Sequence, residues 1–276
     1  MDGTENAWIG KSRSATDRVT ARLVAEYHAV LGTLRGPGEI AAGFHWCLAP
    51  DIAAREHLGR DGHPRPGLVL PKLPLPRRMW AGGSVDHHAP FAIGDEVERR
   101  STVSDIVFKK GRSGRLGFVT VEHVHSVGGE IRVRERQDIV YREDPAPDAS
   151  PRPPEPGEEW EPRAAWSVVP DATTLFRYSA ATFNGHRIHY DAPYAREVER
   201  YGGLVVHGPL QASWMQNLAG EVLGRIPARF EYRGVAPLVA GYPVRVEARA
   251  GEDGALELRV RREEDGVVTM LGRASG

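Results

Sequence analysis

An α+β fold is predicted for this 276-residue chain: two antiparallel sheets, each wrapping a central helix and joined edge to edge. Three observations predict it. A signature recurs, as Ala89-Pro90-x-x-x-Gly94-x-x-Val97 and again as Ala236-Pro237-x-x-x-Gly241-x-x-Val244, at an offset of 147 residues (237 − 90). That offset is about one domain, and duplication is the economical reading. Each copy leads into runs of alternating polarity, the period of a half-buried strand. A strongly apolar helical repeat precedes the second run, at Leu210, Trp214, Leu218 and Val222. A helix followed by an antiparallel meander, present twice, gives the α+β class, and pairing of edge strands from the two halves would hide two exposed edges.

In chain order, Val19, Leu23, Tyr27 and Val30 fall at helical spacing, with Thr16 placed as N-cap and Gly32 as stop. Strands are predicted over 97–108, 116–127 and 131–141. Residues 144–162 carry seven prolines, from Pro145 to Pro162, and read as an extended linker between halves spanning 1–143 and 163–276. In the second half Pro209 suits the first turn of the long helix and Gly224 its end. Strands follow over 230–232, 244–249, 256–261 and 267–271.

Composition removes several function classes. With 41% apolar and 26% charged residues the chain can bury a real core. Its 36 basic and 37 acidic residues leave a net charge of −1, which argues against nucleic acid or an anionic membrane surface as the main partner. No apolar run approaches the roughly 20 residues needed to span a bilayer. The opening Met-Asp-Gly-Thr-Glu-Asn lacks a basic region followed by an apolar one, so no secretory signal and a cytoplasmic location are expected. The one cysteine, Cys47, lies in an apolar run and reads as a buried structural thiol.

The usable chemistry is concentrated between Tyr178 and Asp191 and between Gly203 and Pro209. His189 and His207 sit in Gly/Pro-bounded turns that flank the start of the apolar helix, a setting for proton transfer beside developing negative charge. His87, His88, His123 and His125 alternate on strand or turn positions and read as structural. His186-x-x-His189-x-Asp191, with His207 as a fourth candidate, has ligand types that zinc or iron accept, but metal-free acid/base work ranks above it. The chain has no Gly-x-Ser-x-Gly elbow and no phosphate loop, and Gly36-Pro-Gly-Glu-Ile-Ala41 lacks the strand-turn-helix context of a dinucleotide site.

Over nearly its whole length the chain resembles the MaoC-like hydratase/dehydratase group with the hot-dog fold. It looks closest to the two-hot-dog type 2 hydroxyacyl-thioester dehydratases, which include mesaconyl- and itaconyl-CoA hydratases. Trp8–Lys11 and Pro76–Gly83 carry the resemblance in the first half, Phe176–Asp191 and Gly203–Leu210 in the second. The family motif Gly-Asp-x-Asn-Pro-Ile/Val-His falls on Phe183 to His189. The resemblance therefore implies a double hot-dog in which His189 is the catalytic histidine and Asn184 stands where the motif has its aspartate. It also implies that the backbone N–H of Gly208 receives the thioester oxygen. Tyr178, His186 and His207 are expected to shape the acyl site, and Arg77 and Arg78 to meet phosphates of coenzyme A.

The substrate implied is an enoyl or 3-hydroxyacyl thioester on coenzyme A or an acyl-carrier protein, hydrated or dehydrated without metal or other cofactor by a homodimer. The first half shows no equivalent histidine loop near Ala42 or Asp61, so it is expected to be non-catalytic and to make room for the acyl group. Two alternatives stay open: a thioesterase on the same scaffold, which usually needs a carboxylate where Asn184 stands, and a binding or scaffolding homologue that has lost the chemistry.

Overall fold

The computed structural model describes residues 5–111, 114–144 and 154–276, and among these ten strands make one antiparallel sheet. The first half contributes β1 (Ser12–Arg18), α1 (Ala21–Leu31), β2 (Arg77–His87), β3 (Glu96–Gly111), β4 (Gly114–Val127) and β5 (Glu130–Arg142). The second contributes β6 (Ala164–Val168), α2 (Ala172–Ala181), α3 (Gly208–Leu223), β7 (Arg229–Gly234), β8 (Val244–Ala250), β9 (Leu256–Arg262) and β10 (Val268–Ser275). Strand order is β1-β3-β4-β5-β2-β7-β10-β9-β8-β6, so each half repeats the order of the other in mirror sequence. The halves join through β2 and β7, where Gly82–Asp86 pairs antiparallel with Arg229–Arg233. The expected edge-to-edge pairing is therefore present.

The repeated signature has a structural meaning. Gly94 and Gly241 both take positive φ, 101° and 95°, a region that favours glycine. Each donates its N–H to the carbonyl just before a helix cap, Gly94 to Val19 at 2.8 Å and Gly241 to Pro170 at 2.7 Å. Thr20 then caps α1 and Asp171 caps α2 by accepting a backbone N–H. The helix start expected at Thr16 is thus corrected: Thr16 lies in β1, paired with Glu98, and the cap is Thr20.

One detail of the duplication differs. The counterpart of α1 is the short helix α2, and nothing among the described residues of the first half matches the 16-residue α3. Six prolines between Pro50 and Pro76 prevent a long helix there, leaving loop and short 3-10 turns at Phe44–Cys47 and Arg55–His57. The β6–β10 sheet wraps α3, whose Leu210, Trp214, Met215 and Leu218 are fully buried. The first sheet is instead covered partly by Leu73 and Leu75, which pack with Val103, Val119 and Tyr141. Val85, Val97 and Val133 of this sheet pack into the main core with Tyr27 and Leu31, while Val121, His123, His125 and Ile139 line a cavity.

Residues 145–153 of the expected linker lie outside the described residues. Residues 154–162 form no helix or strand, and Trp160 of this stretch lies under the guanidinium groups of Arg249 and Arg259. No helix among the described residues is long and apolar enough to cross a membrane. Cys47 is buried, and its thiol is pushed far up by desolvation.

Candidate active site

A cavity of ≈ 990 Å³ lies between the halves. The second half lines it with the 178–189 segment and the start of α3, and the first half with His63, Arg78, Trp80 and Trp46.

The 183–189 loop is launched by the way α2 ends. Ser179 O accepts the N–H of Asn184 at 2.8 Å and Ala180 O accepts that of Phe183 at 3.3 Å, a Schellman closure. Phe183 occupies the left-handed position of this closure with φ 50°, where glycine is usual. A side chain held there costs about 1–2 kcal/mol, and such strain concentrates at functional loops. The reversal brings Asn184 to the cavity wall. Its Oδ1 accepts the N–H of His186 at 3.0 Å, which leaves the NH2 group of this cavity-lining residue without a partner among the described residues.

His189 closes a 3-10 turn, Arg187–His189, and is almost fully buried at 6% exposure. Its Nδ1 lies 2.7 Å from the carbonyl oxygen of Val205, which has no proton to give. Nδ1 is therefore the protonated nitrogen, and Nε2 keeps its lone pair as a base. The Val205 N–H returns a bond to Ile188 O at 2.9 Å, so two backbone segments hold the ring. The first half adds a clamp: Asp61 O accepts the N–H of Arg187 at 2.9 Å.

His207 immediately precedes α3 and stacks on His189, 3.6 Å between ring centroids. Its Nε2 is 2.9 Å from Ser179 Oγ, while its Nδ1 is buried without a partner. Gly208 follows as the first residue of α3, with Pro209 next. No acceptor among the described residues takes the Gly208 N–H, and the residue lines the cavity at the positive end of a 16-residue helix. Glycine is required here because the Trp80 ring occupies the space a Cβ would fill.

Burial sets the protonation states. Desolvation pushes His189 down to about 4, against the opposing hydrogen bond to Val205. His63 is driven to about 3 by burial and by Arg78, and His186 and His207 are lowered in the same direction by burial and by their neighbouring histidines. The site therefore presents a neutral imidazole and an unpaired N–H around one cavity, the equipment for taking a proton while an oxyanion forms.

The cavity brings together Tyr178, Asn184, His186, His189, Gly208 and Arg78 of the residues singled out in the sequence. Tyr178 is fully buried, with its ring edge on His207. His207 stands directly behind His189. Arg77 does not join them. It is buried in an ion pair, Nε to Glu199 Oε2 at 2.5 Å, and does not line the cavity, so its expected phosphate contact is corrected to a structural one. Arg78 lines the cavity, but Asp61 and the Pro64 carbonyl already hold its guanidinium. Asp191 turns away to Arg187 and caps Tyr194, holding the loop. Among the described residues no three of His, Cys, Asp and Glu are grouped to hold a metal ion. Two site residues escaped the sequence reading. His63, between Gly62 and Pro64 and two residues from Asp61, carries the same Gly/Pro-bounded signal as His207 and corrects the expectation that the first half has no histidine loop there; Trp80 sits in the Pro76–Gly83 stretch that carries the family resemblance.

A family model described as hydroxyacyl-thioester dehydratase type 2 matches residues 43–240, well over half of the sequence. The chain belongs to this family. It is 40% identical over 256 residues to mesaconyl-C(4)-CoA hydratase of Chloroflexus aurantiacus, covering 90% of this chain and 89% of that one. The mitochondrial hydroxyacyl-thioester dehydratase type 2 of Schizosaccharomyces pombe is 25% identical over 234 residues, 74% of this chain and 76% of that one. Among solved structures, HtdX of Mycobacterium tuberculosis superimposes with a TM-score of 0.69 at 17% identity, over 96% of this chain and 100% of that one. A second M. tuberculosis protein, described as a double hotdog, gives 0.59 at 12% identity over 96% and 95%. These neighbours establish the double hot-dog fold read from the sequence.

Proposed function

We propose that this hydroxyacyl-thioester dehydratase family member adds water reversibly to the double bond of a 2-enoyl thioester, with His189 as the acid/base group. One observation carries the residue assignment: the Val205 carbonyl fixes the Nδ1 proton of His189, leaving the Nε2 lone pair beside a cavity that also holds the free N–H of Gly208. In the hydration direction Nε2 takes a proton from water as the water oxygen bonds to C3. The C2–C3 π electrons move toward the thioester carbonyl, and the enolate oxygen accepts the Gly208 N–H. The imidazolium then returns its proton to C2. Asn184 cannot take up a proton near neutral pH, so its part is to orient the attacking water through the unpaired carboxamide NH2. Losing one oxyanion donor typically costs about 3 kcal/mol of barrier.

Coenzyme A as carrier is supported by the name of the Chloroflexus relative, and an acyl-carrier protein is the alternative. A cytoplasmic homodimer remains part of this reading. The decisive experiment incubates the protein with crotonyl-, mesaconyl- and itaconyl-CoA and follows mass. Gain of water in the unmodified protein, lost in His189→Ala, supports the assignment. Release of the thiol instead makes the chain a thioesterase, and no change makes it a binding homologue.

A further inference from the structure

The cavity has an aromatic rim that neither the fold nor the hydration chemistry uses. The groups assigned to the chemistry lie deep: His189 and His207 are buried, and the Trp80 ring covers Gly208. At the outer end Phe176, Ala180 and Phe183 recur at helical spacing, and all three line the cavity. Phe176 and Phe183 are 65% and 58% exposed, the first on α2 and the second in the turn that closes it. No apolar cluster among the described residues includes either ring. A single exposed aromatic is ordinary, but a pair at the edge of a cavity marks a contact surface.

Phe183 is unfavourable in a second way. Among the described residues three non-glycine positions have positive φ, Ala49, Phe183 and Arg200, and of these only Phe183 lines the cavity. Its φ of 50° is a conformation that glycine adopts without penalty, so the turn itself gains nothing from a side chain there. The surroundings nevertheless fix the ring's position. The N–H groups of Phe183 and Asn184 are bonded into the end of α2. The first half grips the residues that follow. Gly62 packs against the Gly185 carbonyl too closely to admit a Cβ, Arg60 O accepts from Arg187 Nη1 at 3.1 Å, and the His63 ring lies 4.7 Å from that of His186. Strain persists where its surroundings over-determine it, and it collects at ligand clamps. What the side chain at 183 contributes must come when the cavity is filled.

We propose that the Phe183 ring binds the pantetheine arm of the thioester substrate, packing on it at the rim while the reacting carbons lie within. The chemistry of the carrier points to this part. The thioester carbonyl meets Gly208 in the interior, whereas the charged nucleotide of coenzyme A, or the body of a carrier protein, stays in water. The arm joins the two and has to cross the rim, and its methylene and gem-dimethyl groups offer apolar surface to a ring. A ring held in place beforehand loses little freedom on binding, which offsets the strain of its backbone. The inference rests on the thioester-hydratase reading above for the position of the carbonyl.

The test compares Phe183→Gly and Phe183→Ala with the unmodified protein on crotonyl-CoA and on S-ethyl thiocrotonate, which has the same acyl group and no arm. Both variants remove the ring, and only alanine keeps a Cβ in the left-handed position. Each is expected to raise KM for crotonyl-CoA about tenfold with kcat held within about twofold, the sign of lost uniform binding. Turnover of S-ethyl thiocrotonate should stay within about twofold. The variants should differ in stability: Phe183→Gly should melt no lower than the unmodified protein and about 2–4 °C above Phe183→Ala. A ring that served the fold would give the reverse. An unchanged KM, a loss confined to kcat, an equal loss on both thioesters or a lower Tm in Phe183→Gly overturns the proposal. Hydration by the unmodified protein with an unchanged KM in both variants would refute the rim contact alone and leave the hydratase reading standing. If crotonyl-CoA is not hydrated at all, calorimetric titration with butyryl-CoA decides the ring. Binding about tenfold weaker in both variants supports it, and equal binding, or none to the unmodified protein, refutes it.

Discussion

The imidazole of His189 lies flat on that of His207, with 3.6 Å between centroids and 20° between planes. The pair divides two tasks. His189 has one nitrogen fixed by Val205 and the other free for chemistry, whereas His207 is tied to Ser179 and stands at the entry to α3. Replacing His189 by alanine should therefore lower kcat for enoyl-CoA hydration by at least about 100-fold, the usual contribution of a general base. His207→Phe keeps a stacking ring and loses the Ser179 contact, so it should lower kcat less than His189→Ala does. Equal losses in the two variants would place the proton on the wrong ring.

Stability should fall on acidification before most carboxylates titrate. His45, His63, His87, His123, His125, His186, His189 and His207 are all lowered below the usual histidine value of 6.5, with burial the leading cause for each. Between pH 6.5 and about 4 the unfolded chain binds protons at these positions that the folded chain refuses. Stability consequently rises with pH through this window and is lost as pH falls. Glu135, raised to about 7, acts in the opposite sense, favouring the folded state below that pH, but it is one group against eight. Urea midpoints measured from pH 7 to 4 should decline steadily. A flat profile would mean that the buried imidazoles are more hydrated than their packing implies.

How far the sequence revealed this architecture depended on which faces each element buries. Strands β3, β4 and β5 have one face toward the interior and one toward water, and their alternation made them legible. Strand β2 lies mid-sheet between β5 and β7, and its Met-Trp-Ala-Gly-Gly-Ser run shows no alternation, so its pairing was hidden. Edge strand β1, Ser-Arg-Ser-Ala-Thr-Asp-Arg, has almost nothing apolar to mark it, which is why Thr16 read as a helix cap. Helix α2 leaves Phe176 exposed at the cavity, blurring its apolar face. The 183–189 loop was legible because its residues are contiguous. The polar wall of the cavity was not, since Trp46 and Glu135 stand 89 positions apart and meet only through the fold.

Gly208 and Trp80 should behave as a coupled pair. A methyl group at 208 would enter the Trp80 ring, so Gly208→Ala is expected to destabilise the protein by about 1–3 kcal/mol, the range for overpacking, and to displace the N–H from the thioester oxygen. Shrinking the ring in Gly208→Ala/Trp80→Leu should recover part of that stability. The Tm values of the two single variants and the double variant measure the coupling, and additive losses would show that the ring yields freely.

Arg77 provides the contrast that separates fold from substrate binding. Its guanidinium is 4% exposed and bonded to both the carboxylate and the carbonyl of Glu199, whose other carboxylate oxygen receives the Tyr194 hydroxyl. Removing one member of such a buried pair strands the other charge, at about 3–5 kcal/mol. Arg77→Ala should thus lower Tm markedly, while the KM for a CoA thioester, measured well below the new Tm, should match that for the pantetheine thioester in its ratio to the unmodified protein. Arg78 lines the cavity, and its alanine variant should raise KM for the CoA thioester selectively if the carrier's phosphates lie beside it. A selective rise in Arg77→Ala would return that residue to the carrier site, and would require Glu199 to release it when substrate binds.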